Sequence, residues 1–498
     1  MLRRAVRRAV LLTGLCLATV LGVRVWDSQR GRPLDPWHTF VPQELTPAAL
    51  DDADWATYEA AEATLFETIE REITAQLAPD AQVPINRYFD GSPIHPSHFA
   101  RDWNRSFILE PDVEPIGAAV FLHGLTDAPY SARHLLDHYR THGFVGLAIR
   151  LPGHGTVPGA LTESTWESWT AAARLAVREA RRRIGPTRPL HLIGYSNGGA
   201  LAVQYALDAL EDASLSRPDR ILLLSPMIGI TAFARFAGLA GLPAILPAFA
   251  KAAWLSVIPE FNPFKYNSFP VNAARQSFLL SDTTQRRIAR LARDGRLEDL
   301  PPILTFQSVV DFTVSTRAVI DALYAHLPVN GSELVLYDLN RNPALRLLLR
   351  SALAIEPERL LPALPRPYRT TVLANPDPAT RAVTEHAVEA GTTLERTRPL
   401  ELEFPPGVFS LSHIALPFPI DDGLYGLEPD PAEDFGIRLG SLGLRGELGT
   451  LIVDLDTTLR ISSNPFFPYQ LERITETLTG GSDSGASSGA EGLEQTER

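Results

Sequence analysis

The tight motif G-x-S-x-G at residues 194–198 constrains the fold more than any other stretch of this chain. It follows a short apolar run at residues 190–193 and precedes a segment of small residues that starts near Ala200. The apolar run predicts a buried strand, and the segment after the motif predicts a helix. Glycines flank Ser196 because side chains two residues either side of so sharp a turn would collide with the neighbouring strand and helix. The motif therefore predicts a strand–turn–helix unit with a serine at its bend.

Short apolar runs bounded by glycine and proline recur after residue 115. They cover residues 116–122, 144–149, 190–193, 220–224, 303–306 and 333–339. Patterns rich in Ala, Leu and Arg, such as residues 166–183 and 200–210, lie between several of them. This alternation is typical of a parallel sheet covered by helices. We predict an α/β fold whose mostly parallel central sheet carries helices on both faces.

Two further turns contain glycine and histidine directly after the first two runs. His123-Gly124-Leu125-Thr126 follows the first run, and a Pro-Gly-His-Gly loop at residues 152–155 follows the second. Together with the serine motif, these turns resemble the α/β-hydrolase superfamily, in particular the bacterial carboxylesterases and monoacylglycerol lipases that are often grouped with serine aminopeptidases. The resemblance covers roughly residues 116–335. It implies an α/β-hydrolase fold with a helical cap, and a serine hydrolase that needs no cofactor.

The resemblance implies a site built around Ser196. Ser196 is expected to be the nucleophile, and the helix after it directs its positive N-terminal end at the serine oxygen. We assign the oxyanion hole to the backbone N–H groups of Leu125 and Asn197, since two donors fixed before reaction stabilise a developing alkoxide. His123 and His154 are interpreted as residues that shape their loops and do not transfer protons.

Asp311 is the predicted acid of a catalytic triad, because it follows the apolar run at residues 303–306, where a strand would end. A carboxylate in that position can hold a histidine in one tautomer and stabilise its protonated form. The alternative is that Asp311 is the N-cap of a helical pattern at residues 315–326.

His413 is the predicted base, although its position departs from the pattern of the superfamily. Relatives usually carry this histidine just after the next strand, but residues 333–339 lead onward without one. An insertion at about residues 340–399 intervenes before the serine-rich loop that contains His413. His326 and His386 are the competing histidines, and both lie in patterns that we interpret as helical. His413 also keeps the order serine, aspartate, histidine that is expected for the class.

Composition excludes several other classes of function. The formal net charge is −12 at pH 7 and no basic stripe lies outside the N-terminus, so nucleic-acid binding is not expected. The single cysteine, Cys16, leaves the folded body without a thiolate ligand, and the histidines are scattered, so no metal site is predicted. Residues 452–458 imitate the aspartate motif of haloacid-dehalogenase-like phosphatases, but no lysine follows them, and we interpret them as an edge segment.

The N-terminus has the charge order of an export signal. Four arginines, Arg3, Arg4, Arg7 and Arg8, precede an apolar run at residues 9–23. No clean cleavage site follows, so we predict an uncleaved anchor in the inner membrane with the catalytic domain exported into the cell envelope. A cleaved leader that leaves a secreted or periplasmic protein is one alternative, and a cytosolic protein with an apolar leader helix is another.

The chain divides into segments with different expected structures. They are a leader at 1–30, an N-terminal helical extension at 31–115, two parts of the hydrolase core at 116–225 and 301–478, a cap at 226–300, the insertion near 340–399 within the second part, and a disordered tail at 479–498. Aromatic residues of the cap, including Phe233, Phe236 and Trp254, are expected to shape an apolar pocket.

The leading functional prediction is a carboxylesterase or monoacylglycerol-lipase-like enzyme that cleaves small acyl esters through an acyl-enzyme on Ser196. A peptidase or acyltransferase with the same triad is one alternative. A non-catalytic, envelope-anchored binding module of the same fold is the other. The sequence carries no signal for an oligomeric state.

Overall fold

The computed structural model describes residues 2–229, 244, 247–342, 359–377, 379–443, 459–460 and 463–479. Three of the sequence predictions fall outside these residues. They concern Phe233 and Phe236 of the cap, the aspartate-containing segment at residues 452–458, and the tail from residue 480.

Short strands form the centre of the molecule. In chain order they are β1 (Phe107–Leu109), β2 (Gly117–Leu122), β3 (Phe144–Ile149), β4 (Leu190–Tyr195), β5 (Arg220–Leu224), β6 (Trp254–Ser256), β7 (Phe269–Pro270), β8 (Ile303–Ser308), β9 (Glu333–Tyr337), β10 (Arg369–Ala374), β11 (Ala382–Val388) and β12 (Glu395–Glu403). Strands β6 and β7 form a separate pair, and the others form one sheet in the order β1-β3-β2-β4-β5-β8-β9-β10-β11-β12. Neighbouring strands from β3 to β10 are parallel, which confirms the predicted mostly parallel sheet.

Helices cover both faces of this sheet, as the α/β prediction requires. They are α1 (Leu2–Arg30), α2 (Pro36–Thr39), α3 (Pro47–Asp52), α4 (Trp55–Glu72), α5 (Arg133–Thr141), α6 (Trp166–Ile184), α7 (Asn197–Glu211), α8 (Val271–Arg293), α9 (Thr316–Ala322) and α10 (Phe467–Thr479). Successive side chains of a strand point to opposite faces, so the two faces bury different residues of β2. Val120 and Leu122 pack in the cluster that includes α6 and α7, whereas Ala119 and Phe121 pack in the cluster that includes α5 and α10.

Strands β10 to β12 extend the sheet within the region that the sequence analysis treated as an insertion. Strand β10 continues the parallel pairing from β9, and β11 and β12 follow as antiparallel strands. His386 lies in β11, so its interpretation as a helical residue is wrong. Residues 383–385 and 387–388 of β11 are buried and His386 is half-buried, and pairing with β10 determines the backbone conformation.

A buried ionic cluster joins the N-terminal extension to the core. Arg150, at the end of β3 and 1% exposed, donates through Nη1 to Glu44 at 2.8 Å and through Nε to Glu62 of α4 at 3.1 Å. Glu62 also accepts the hydroxyl of Ser106 at 2.8 Å. Buried charges are stable only when paired, so this cluster fixes α4 against the sheet. The same extension, predicted as helical, also supplies β1 at the edge of the sheet.

Part of the predicted cap packs directly on the core. Ser281 of α8 donates to the carbonyl oxygen of Met227 at 2.5 Å, and the hydroxyl of Thr284 donates to Gln204 of α7 at 3.1 Å. Helix α8 therefore belongs to the layer that covers the sheet. An apolar acyl pocket formed by the cap stays a prediction.

Helix α1 covers most of the segment that was predicted as a leader. Among the described residues, no helix combines the length and the apolarity needed to cross a membrane. The anchor and the cell-envelope location stay predictions.

Candidate active site

Ser196 lies at a sharp bend between β4 and α7. Its backbone has φ 55° and ψ −116°, a conformation that is strained for a residue with a side chain. A Cβ atom on Gly194 would lie 2.6 Å from the Cα atom of Gly199, and one on Gly198 would lie 2.7 Å from the carbonyl oxygen of His123. Neither position has room for a side chain, which is the physical basis of the G-x-S-x-G spacing.

The bend brings Ser196 to two residues from distant parts of the chain. His413 Nε2 lies 2.8 Å from Ser196 Oγ, and His413 Nδ1 lies 2.8 Å from Asp311 Oδ2. An ionised carboxylate can only accept, so Nδ1 carries the proton and donates it, and Nε2 of the neutral ring is free to accept the serine hydroxyl. Ser196 is 5% exposed and His413 is 6% exposed. The three residues predicted for the triad form one buried, hydrogen-bonded line.

Hydrogen bonds fix the carboxylate of Asp311 after β8. Its Oδ1 accepts the backbone N–H groups of Thr313 at 2.7 Å and Val314 at 3.0 Å. Burial acts to raise the pKa of Asp311, but the imidazole of His413 and these N–H groups outweigh it and hold the pKa below its ordinary value. The N-cap of α9 is Ser315, whose side chain accepts from Ala318, so the alternative role of Asp311 as that N-cap is wrong.

The loop that carries His413 is held at the end of β9 by hydrogen bonds. Asn340, which follows β9, donates its N–H to the carbonyl oxygen of Phe409 and its Nδ2 to that of Val408, both at 2.9 Å. The ring of Tyr195 stacks on the ring of His413 with centroids 5.8 Å apart. A histidine that comes after three additional strands therefore still returns to the serine.

A buried carboxylate, Asp422, anchors the same loop from its other end. It accepts the hydroxyl of Tyr130 at 2.9 Å and Nη2 of Arg133 at 2.8 Å, and Nε2 of His134 lies 2.8 Å from it. Burial acts to raise the pKa of Asp422, but His134 and Arg133 outweigh it and hold the pKa well below its ordinary value. Sequence reasoning missed this anchor because its partners lie 288 to 292 positions earlier in the chain.

The turn after β2 lies directly against the serine. A Cβ atom on Gly124 would be 3.2 Å from the Cβ atom of Ser196, so a larger residue there would crowd the hydroxyl. Thr126 has φ 62°, which marks a tight turn just after Leu125. Asn197 is the first residue of α7, and N–H groups in the first turn of a helix have no partner within the helix. The two predicted oxyanion donors, the N–H groups of Leu125 and Asn197, therefore come directly after Gly124 and Ser196, which lie against each other at the bend.

His123 is held by the backbone through both ring nitrogens. Its Nδ1 lies 2.9 Å from the carbonyl oxygen of Gly124, and its Nε2 accepts the N–H of Leu151 at 3.0 Å. Burial, together with the neighbouring His154, holds the pKa of His123 well below its ordinary value. A neutral ring with both nitrogens engaged shapes the turn and has no position left for proton transfer.

Sequence reasoning also missed two charged residues beside this turn. Asp127 accepts the hydroxyl of Ser131 at 2.7 Å, and the N–H of Gly124 donates to it at 3.4 Å. Lys265 precedes Tyr266, whose N–H donates to the carbonyl oxygen of Thr126 at 2.8 Å. Only the rarity of lysine in this chain could have drawn attention to Lys265.

Within the part of the chain that the structure describes, no group of three or more His, Cys, Asp or Glu side chains could hold a metal ion. The chemistry available at the bend is that of a hydroxyl, an imidazole, a carboxylate and backbone N–H groups.

Comparisons with known proteins identify the family of the chain. A family model described as "Alpha/beta hydrolase family" matches residues 119–419, which is more than half of the chain. Similar solved structures include one from a study of the metagenome-derived lipolytic enzymes LipS and LipT, at 22% identity over 48% of this chain and 87% of that chain, with a TM-score of 0.38. A soluble variant of monoglyceride lipase from Saccharomyces cerevisiae is 14% identical over 47% and 82%, with a TM-score of 0.37. Monoacylglycerol lipase from Paleococcus ferrophilus is 17% identical over 47% and 88%, with a TM-score of 0.35. No curated protein matches the chain.

Proposed function

We propose that this chain, which belongs to the alpha/beta hydrolase family, is a serine hydrolase that cleaves small carboxylic esters. One observation carries the proposal: Ser196, His413 and Asp311 form a buried line of two 2.8 Å hydrogen bonds at a strained bend. A serine hydroxyl is a weak nucleophile by itself. A base within hydrogen-bonding distance, oriented by a fixed carboxylate, is the arrangement that activates it.

In the first half of the reaction, Ser196 Oγ attacks the carbonyl carbon of the ester while His413 Nε2 takes the hydroxyl proton. The carboxylate of Asp311 stabilises the imidazolium through Nδ1–H. Negative charge develops on the former carbonyl oxygen, and the N–H groups of Leu125 and Asn197 stabilise it. The bond to the alcohol then breaks, His413 returns the proton to the departing alkoxide, and an acyl-enzyme on Ser196 is left.

In the second half, water replaces the alcohol. His413 takes one proton from the water as its oxygen attacks the acyl carbon. The tetrahedral intermediate collapses, the proton passes back to Ser196 Oγ, and the carboxylic acid leaves. The enzyme returns to its starting state without an oxidant, a reductant or a metal ion in the balance.

Hydrolysis of p-nitrophenyl butyrate tests the proposal. The wild-type protein is expected to release p-nitrophenol, and Ser196→Ala is expected to reduce the rate to that of the buffer. Ser214→Ala is the matched control, because Ser214 is exposed and, within the described part of the chain, its hydroxyl bonds only to the nearby Asp212. Hydrolysis that persists in Ser196→Ala, or that is absent in the wild type, contradicts the proposal.

A further inference from the structure

Lys265 is a cation beside the turn that carries the proposed oxyanion donor. The adjoining Tyr266 binds the carbonyl oxygen of Thr126, one residue after Leu125, at 2.8 Å. Gly124 at the start of the same turn lies against Ser196. The hydrogen bond from Tyr266 therefore holds this segment of the chain close to the reacting serine.

The side chain of Lys265 is partly buried and has no partner. Among the described residues it forms no hydrogen bond and no ion pair, and burial lowers the pKa of its ammonium. Three buried arginines differ: Arg87 donates to two amide oxygens, and Arg133 and Arg150 each donate to two carboxylates. Partial removal of a cation from water without a partner still costs free energy, so the unpaired Lys265 beside the candidate active site points to a partner that arrives with the substrate.

Asp127 is the carboxylate whose charge acts on Lys265, and it is already engaged in hydrogen bonds. Oδ2 accepts the hydroxyl of Ser131 at 2.7 Å and the N–H of Gly124 at 3.4 Å. Burial raises the pKa of Asp127, and the charge of Lys265 is the largest of the effects that oppose this rise. The two charges are close enough to interact, yet they are too far apart for an ion pair, since no N···O distance of 4.0 Å or less joins them.

A second cation, the exposed Arg460, lies on the side of the site that carries the acid. It donates to the hydroxyl of Thr313, whose backbone N–H binds Asp311. Among the described residues Arg460 has no carboxylate partner, and its charge contributes to the lowered pKa of Lys265. Positive charge thus lies beside both the oxyanion turn and the loop of Asp311.

We infer that the site takes esters that carry an anionic group, and that the Lys265 ammonium, near the turn of Leu125, binds this group. This inference rests on the proposed function and names the substrate class of the same site. Asp127 would then set the position of the ammonium through their mutual attraction, while the substrate supplies the direct ion pair.

Two pairs of esters that differ only in charge test the inference by turnover. Mono-p-nitrophenyl glutarate is compared with p-nitrophenyl pentanoate for charge on the acyl side, and 4-carboxyphenyl acetate with its methyl ester for charge on the alcohol side. In Lys265→Met, the ratio of kcat/KM for the charged ester to that for the neutral one is expected to fall by at least about tenfold in one of the pairs, mainly through KM. Lys265→Arg is expected to restore part of it.

Lys251→Met is the matched control, because Lys251 is the other lysine of the chain and its Nζ donates to the carbonyl oxygen of Gly31 at 2.7 Å. Its ratios are expected to equal those of the wild type. If the ratios of Lys265→Met also equal those of the wild type in both pairs, Lys265 serves only to balance Asp127, and the inference is overturned.

A binding measurement separates this inference from the proposed function. Calorimetry on Ser196→Ala, which cannot form the acyl-enzyme, measures the affinity for each ester. In one of the pairs this variant is expected to bind the charged ester more tightly than the neutral one. The difference in affinity is expected to disappear in the double variant that carries both Ser196→Ala and Lys265→Met. This result supports the inference even where the wild type hydrolyses neither ester, an outcome that contradicts only the proposed function. Binding that does not depend on charge overturns the inference, whatever the turnover.

Discussion

Gly198→Ala is the substitution for which the structure gives the most definite expectation. Gly198 lies in the first turn of α7, immediately under the end of β2. A Cβ atom there would collide with the carbonyl group of Leu122, first with its oxygen and then, at 2.5 Å, with its carbon, and it would lie 2.7 Å from the carbonyl oxygen of His123. Both contacts are with backbone, so no side-chain rotation can relieve them, and either the start of the helix or the end of the strand has to move.

The size of that movement follows from the distances. Non-bonded carbon atoms pack at about 3.5 Å, so the contact with the carbonyl carbon of Leu122 alone requires a shift of at least about 1 Å. Overpacking of this kind typically costs about 1–3 kcal/mol of unfolding free energy, and the better helix propensity of alanine offsets up to about 1 kcal/mol of it. The displaced strand end leads directly into the turn of Leu125. A misplacement of about 1 Å at a reacting centre can cost about a hundredfold in rate, so kcat should fall by at least that factor.

Urea unfolding and hydrolysis of p-nitrophenyl butyrate measure the two effects in the same preparation. Gly443→Ala is the control, since a Cβ atom on Gly443 meets no atom of the described residues within 4 Å. It is expected to match the wild type in both assays. A Gly198→Ala protein with the stability and kcat of the wild type would refute the reasoning that the elbow has no room for a side chain.

Three further predictions concern buried charges. Asp311→Asn should lower kcat by about a thousandfold or more, because the amide no longer holds His413 in the tautomer that accepts the serine proton. An unchanged kcat in steady-state kinetics would contradict the role of Asp311 as the triad acid. Asp422→Asn should reduce the unfolding free energy at neutral pH by about 3–5 kcal/mol, as expected when one partner of a buried ion pair is removed. Because the pKa of Asp422 is lower in the folded state, its ionised form stabilises the protein above the ordinary pKa of 3.8, and this stabilisation is lost as the pH falls below that value. The stability of Asp422→Asn, measured by urea unfolding, should therefore depend less on pH in this acid range. An equal dependence in both proteins would contradict the role of Asp422 as a buried ion-pair partner. Arg150→Met should leave the buried Glu62 and the half-buried Glu44 without a cation and destabilise the protein by about 3–5 kcal/mol. Arg174→Met, which breaks a more exposed pair with Asp51, should cost less than about 1 kcal/mol, and equal losses in urea unfolding would contradict the account of the cluster.

Much of the fold could be predicted because its signals are local. Strands β3 and β5 begin and end where the apolar runs at residues 144–149 and 220–224 do, and α6 extends only one residue beyond the pattern at 166–183. Apart from Arg220 at the start of β5, these runs are buried on both faces of the sheet and contain no polar side chain, so the pattern is clear. The predicted α/β class is confirmed for the same reason.

The strands beyond β9 could not be predicted from local pattern. Strand β12 is a mostly exposed edge strand rich in Glu and Arg, so it lacks the apolar run that marks the others. Its conformation is determined by pairing with β11, which comes from elsewhere in the chain. The same absence of a local signal led to the helical interpretation of His386.

The residues of the candidate site likewise fall into those that a local motif predicts and those that it does not. Ser196 follows from a motif that is complete within five residues, because the steric conflict at the bend is local. Asp311 and His413 were predicted from the ends of predicted strands and from chain order. In the structure His413 lies at hydrogen-bonding distance from both Ser196 and Asp311. Asp422 and Lys265 carry no motif. Their surroundings are assembled by contacts between segments far apart in sequence, which a pattern along the chain does not contain.

Labelling by a fluorophosphonate probe, followed by peptide mapping, tests most directly whether His413 activates Ser196. The wild-type protein is expected to be modified at Ser196, and His413→Gln is expected to lose most of this reactivity. His386→Gln is the matched control, because His386 lies on β11 and bonds to Glu395 away from the bend; its labelling should equal that of the wild type. Labelling of His413→Gln at the wild-type rate, or modification of a different serine, would contradict the account.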